Sequence, residues 1–168
     1  MLGIWRKSES REAPVDRLYA VMVTRAREVV FFAGFGVPDT IDGRFDLLAL
    51  HAWLVLDGLR AGKQAALSQA LTDRIFTGFD EGLRDLGTGD MGMGRKIKKL
   101  ADAFYGRLQA YDACDGEAAM AEAIQRNIYR GAGKAPHAEA VARYAESARS
   151  HIARSDLASG DAEFGPLP

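Results

Sequence analysis

The sequence predicts an all-α fold, a single-domain helical bundle of about six to seven helices. Apolar residues recur at the three-and-four spacing of a helical face along several segments, and no run alternates with the period of two that a half-buried strand shows. Glycine and proline clusters separate these segments, as breaks between helices do. A length of 168 residues with 48% hydrophobic residues is enough for one packed core.

The elements follow in order from residues 1–12, expected to be a flexible N-terminal segment, into a helical domain over 13–157. Pro14 suits a first helical turn, where its missing amide is no loss. From there Val15, Leu18, Tyr19, Met22, Ala26, Val29 and Ala33 share one face, and Gly34 and Gly36 close the helix. Val37-Pro38 reads as a loop, since proline lacks an amide donor and clashes with the preceding turn. Phe45, Leu48, Ala52, Val55, Leu56 and Leu59 form a second stripe, while Leu47 and Leu54 occupy another sector. A helix apolar on more than one side belongs at the centre of a bundle.

Leu67, Leu71 and Ile75 predict a third helix ended by Gly78, and Phe79, Leu83 and Leu86 a short fourth ended by Gly87. In the fifth, Ile97, Leu100, Ala101, Phe104, Leu108 and Tyr111 share one arc, and Arg95, Lys96, Lys99 and Arg107 the opposite one. Asp115 is placed to cap a sixth helix carrying Met120, Ala123, Ile124 and Ile128. After the loop Gly131-Ala132-Gly133-Lys134-Ala135-Pro136, a seventh helix sets Val141, Tyr144, Ala145, Ala148 and Ile152 on one face. Residues 158–168 offer little to pack and read as a disordered tail.

Charge is uneven although the net value is −1. From Arg95 to Asp112 there are five basic residues (Arg95, Lys96, Lys98, Lys99, Arg107) against Asp102 and Asp112, whereas Val37 to Gly94 holds nine acidic against five basic residues. No global field therefore draws the protein to nucleic acid or anionic lipid, but one helix is basic. The longest apolar stretch, Leu47 to Leu56, is about half the roughly 20 residues of a membrane span and reads as a buried helix. The N-terminus Met1-Leu2-Gly3-Ile4-Trp5-Arg6-Lys7 lacks the apolar core of a secretory signal, yet its tryptophan, aliphatics and cations suit weak contact with a membrane interface. The single cysteine, Cys114, forms no internal disulfide and no zinc cage, and reads as a packing residue.

Gly87-Thr88-Gly89-Asp90-Met91-Gly92 matches G-x-G-x-x-G in letters. That fingerprint needs a strand before it and a helix N-terminus facing a pyrophosphate, and Leu83 to Leu86 is a helical fragment. Gly89 to Arg95 resembles a P-loop but has Arg95 for the required lysine and Lys96 for the magnesium-binding Ser or Thr. The loop's glycines serve a sharp reversal, and Asp90 favours the positive end of the next helix. His51 reads as a hydrogen-bonded core histidine, while His137 and His151 stand too far apart on the last helix for a shared site. No zinc-binding or nucleophile-elbow pattern accompanies them, so no catalytic, metal-binding or cofactor-binding residues are expected. Bound haem is not expected either, since a lone histidine with the loop residues Met91 and Met93 is a weak ligand set.

Two blocks carry more than composition does. Val37-Pro38-Asp39-Thr40 runs into Gly43-Arg44-Phe45-Asp46-Leu47-Leu48-x-Leu50-His51, and Gly89-Asp90-Met91 leads to Phe104-Tyr105-Gly106-Arg107. Their order and separation resemble the ubiquinol-cytochrome c chaperone family, assembly factors for cytochrome b of the respiratory bc1 complex, over roughly Tyr19 to Tyr111. The resemblance implies a non-enzymatic chaperone in a compact bacterial form, without the import sequence of mitochondrial relatives. Its implied partners are nascent cytochrome b and bc1 assembly intermediates, and its implied place is cytoplasmic, at the cytoplasmic face of the inner membrane, with peripheral contact. The ribosome association of mitochondrial members is left open for this form, and DNA is not among the partners.

Arg95, Lys96, Lys99, Tyr105 and Arg107 are the expected client-binding residues, because acidic partners are scarce on that arc. Gly106 in mid-helix costs about 1 kcal/mol relative to alanine and suggests close packing there. Asp39, Arg44, His51 and Asp90 are family-motif residues, expected to hold the loops. Two alternative functions remain: a ribosome- or RNA-associated binding module using the basic helix, and a small nucleotide-binding enzyme using the glycine loop.

Overall fold

The computed structural model describes residues 3–132 and 134–168, with the side chains of residues 3–12 and of Ala135 outside the description. The expected membrane contact of Met1 to Lys7 and the loop residue Gly133 fall outside it. Among the described residues the chain is all-α, with helices α1 (Gly3–Ala26), α2 (Val29–Ala33), α3 (Ile41–Ala61), α4 (Ala65–Asp85), α5 (Asp90–Asp112), α6 (Glu117–Asn127) and α7 (Ala135–Ile152), then a 3-10 turn at Leu157–Ser159.

Helix α3 is the centre, as its two apolar sectors imply. Leu47, Leu50, Ala52, Leu54 and Val55 are all fully buried, and α3 packs on α1, α4, α5 and α7. Its start is fixed by sequence: Thr40 caps it, the hydroxyl accepting from the Gly43 amide at 3.1 Å. A side chain at Gly43 would collide with the Pro38 carbonyl.

Several boundaries differ from the sequence reading. Pro14 lies inside α1 rather than in its first turn, because the helix begins upstream. The stripe from Val15 to Ala26 is buried, but the helix breaks before Val29, which is 71% exposed. Glu28 takes an extended conformation there (φ −57°, ψ 130°), and the restarted α2 turns Phe31 inward instead. Gly78 does not end a helix: the two predicted helices are one, α4. The glycine is required by a crossing, since a Cβ on Gly78 would strike the Tyr19 hydroxyl of α1. Asp115 does not cap α6; Gly116, at φ 87°, occupies that position without a side-chain bond.

Residues 158–168 are the largest departure. Ala162 and Phe164 are buried, and the Phe164 ring meets His51 at 5.3 Å. Two arginines of α1 hold this segment by its carbonyls, Arg17 at Ser159 and Arg25 at Gly165. A low apolar content concealed the packing, since two apolar side chains with backbone acceptors suffice.

Candidate functional site

On α5 Phe104 is fully buried, and of the predicted basic arc Arg95, Lys96 and Lys99 are exposed, as is Lys98. Phe104 is fixed by ring contacts to Phe76 at 5.7 Å and Phe79 at 5.8 Å on α4. Among the described residues Arg95, Lys98 and Lys99 make no ion pair, while Lys96 donates to the Thr88 hydroxyl at 3.0 Å. Tyr105 is half-exposed and stacks on Phe76 at 5.8 Å, so its ring is held flat against the bundle. Gly106 has no close packing within the chain: a Cβ there meets open space.

Arg107 departs from the expected contact surface. Its guanidinium turns inward over the Phe45 ring and pairs with Asp46 at 2.6 Å, and the Asp46 side chain is fully buried. Arg130 reaches the other oxygen of Asp46 at 3.2 Å. Burial pushes the Asp46 carboxyl up, while the two guanidinium groups pull it down. Sequence reasoning missed Asp46 and Arg130 as a pair. The available signal was a carboxylate between Phe45 and Leu47, since a buried acid needs a partner.

The family-motif residues are tied into structure. Asp39 pairs with Arg44 at 2.8 Å across the entry to α3. Asp90 sits in the first turn of α5 and accepts from Arg84 at 3.1 Å, and Arg84 also pairs with Asp80, joining the end of α4 to the start of α5. His51 is buried in a directed chain of hydrogen bonds. Its Nδ1 lies 2.7 Å from the Leu47 carbonyl, which only accepts, so that nitrogen carries the proton; Nε2 then accepts from the Tyr144 hydroxyl at 2.8 Å. Arg25 Nε donates to the same Tyr144 oxygen at 3.0 Å. Burial pushes the imidazole down to about 4.

The glycine-rich stretch from Gly87 to Gly92 comprises the turn after α4, with Gly87 at φ 80°, and the first turn of α5, which begins at Asp90, and a helix rather than a strand precedes it. It therefore lacks the strand-to-helix geometry of a dinucleotide or P-loop site. His137 and His151 both lie on α7 and do not converge, and no group of three His, Cys, Asp or Glu side chains among the described residues could hold a metal ion. Cys114 Sγ donates to the Ala110 carbonyl at 3.2 Å beside the end of α5. Among the described residues, no helix is long and apolar enough to cross a membrane.

A groove of about 220 Å³ opens where α1, α3, α4 and α5 meet. Its floor is apolar, including Phe45, Leu48, Phe79 and Leu100, and Arg27 and Arg44 stand on its rim. Ile41 and Leu86 form lips that are 65% and 60% exposed. Hydropathy periodicity could not reveal this groove, because it is assembled from residues of four helices.

Comparison with known proteins accords with this architecture. The family model described as "Ubiquinol-cytochrome C chaperone" matches residues 33–163. A crystal structure of the Cbp3 homolog from Brucella abortus is 40% identical, with a TM-score of 0.83, covering 96% of this chain and 93% of that one. Among curated proteins, none matches significantly.

Proposed function

The chain belongs to the ubiquinol-cytochrome C chaperone family, and from that premise we propose that it is an assembly factor for cytochrome b, holding the newly made client at the membrane face before the bc1 complex forms. Membership implies a chaperone role and not an enzymatic one. The observation that carries the reading beyond the family is the presence of two kinds of surface on one bundle: on α5 three exposed cations, Arg95, Lys98 and Lys99, without acidic partners among the described residues, and an apolar groove to which α5 contributes Leu100. A client with apolar segments and a charged flank needs both kinds of surface from its holder. The contact set is Arg95, Lys96, Lys99 and Tyr105, whereas Arg107 supports the fold from beneath.

The test is complementation of a strain deleted for this chain, read as bc1 accumulation and haem-b spectra in membranes. Wild type restores both. The variant Arg95→Glu/Lys96→Glu/Lys99→Glu is expected to fail while its stability stays within roughly 0.5 kcal/mol of wild type per site, as exposed substitutions do. Normal bc1 levels in the deletion strain would remove the chaperone assignment; full activity of the triple variant would remove only the surface. The same cations suit RNA, and that reading predicts affinity falling steeply with salt. Tyr105, alone on this face, is a poor stacking platform for it.

A further inference from the structure

The groove between α1, α3, α4 and α5 has a floor that no described residue fills. Gly82 of α4 lines it, has an ordinary helical backbone, and carries no neighbour within 4 Å of where a Cβ would stand. A helical glycine that neither takes a positive φ nor admits a neighbour weakens its helix without return inside the monomer. A groove-lining glycine of this kind lets another backbone approach closely. The lips Ile41 and Leu86 are large apolar side chains left in water, and among the described residues Arg27 on the rim has no acidic partner.

We propose that this groove docks a helix of the client, with Leu, Ile or Phe side chains at i, i+3 and i+4 and an acidic residue positioned to meet Arg27. The inference rests on the chaperone reading above and names the form in which the client is held. A helix is required by backbone accounting. All four surrounding elements are helices whose amides and carbonyls are paired internally, so they offer no edge to an extended segment. A segment dehydrated in such a groove must satisfy its own backbone, as a helix does. The apolar floor selects the packed face, Gly82 sets the point of closest approach, and the unpaired Arg27 selects the acid.

The probe is cytochrome b made by cell-free translation with liposomes and the full-length chain, carrying a photoreactive side chain at Ile41, at Leu86 or, as control, at Ser147 on α7. Crosslinks to cytochrome b are expected from Ile41 and Leu86 and not from Ser147. Gly82→Leu should lower that yield roughly tenfold or more, because the new side chain occupies the space of the docked one, with Tm unchanged or raised. Leu86→Glu, on the exposed lip, gives the same readout should Gly82→Leu fail to fold, and Arg27→Glu should weaken capture in parallel. If cytochrome b co-purifies but neither lip crosslinks, or Gly82→Leu and Leu86→Glu have no effect, the groove is overturned while the chaperone reading stands. If cytochrome b does not co-purify at all, that reading fails and this inference with it. Crosslinks only to lipid or to a second copy of the chain also overturn it.

Discussion

At the residue scale, His51 and Arg107 show how much of the family motif is scaffold. His51 is neutral in the fold, because burial and the nearby Arg25 disfavour a charged ring. Its value falls from 6.5 when unfolded to about 4 when folded, so between those limits the unfolded chain binds the extra proton. Stability is therefore full above pH 6.5 and declines as pH drops toward 4, by about 3 kcal/mol over the whole window. Urea denaturation across that range should show this slope in wild type and a flatter one in His51→Gln. For Arg107→Ala the expected loss is about 1.5 to 3 kcal/mol, since the buried Asp46 carboxylate loses its nearest charged donor while Arg130 stays on its other oxygen. Equilibrium unfolding measures it, and a loss below 1 kcal/mol would refute the pairing as a structural support. The sequence reading placed Arg107 on the basic arc, whereas its side chain is only 15% exposed. Helical periodicity could not show that the long side chain bends back to an acid on another helix.

At the scale of elements, what was legible was whatever one helix determines by itself. The α5 stripe named its buried and exposed sides, and the two apolar sectors of α3 placed it centrally. The cap of α3, where the Thr40 hydroxyl accepts from the Gly43 amide, was not read from the sequence, although Thr40 three residues before a glycine just after the Val37-Pro38 loop was a signal for it. Breaks were less legible, because glycine serves both as a terminator and as a gap for a neighbour. Gly78 is the second kind, admitting Tyr19, whose ring in turn lies under the Arg74 guanidinium at 4.1 Å. Only the position of α1 distinguishes the two roles. The ring cluster of Phe76, Phe79 and Phe104 then fixes how α4 lies against α5. Removing its centre with Phe104→Ala should cost about 3 to 5 kcal/mol in denaturant-induced unfolding. Less than 1 kcal/mol would mean that the hairpin is held by something else.

For the whole molecule, the all-α class and the basic surface could be read from the sequence, but the groove and the packed tail could not, as both arise only when distant segments meet. Phe164 is buried against His51, so Phe164→Ala should destabilise the protein by about 3 kcal/mol. Thermal unfolding would register this as a lower Tm, and an unchanged Tm would mean that the segment contributes no packing. The bonds from Arg17 to Ser159 and from Arg25 to Gly165 span separations of 142 and 140 residues. Translation runs from the amino end, so α1 emerges long before the segment that covers it. The side of α1 that carries Arg17 and Arg25 must stay uncovered until the stretch 157–165 has cleared the ribosome, although α3 and α4 can cover its other side earlier, so this last part of the core closes in a late, non-local step. During that interval a chain whose family tends another protein's assembly is itself an unfinished substrate for general chaperones.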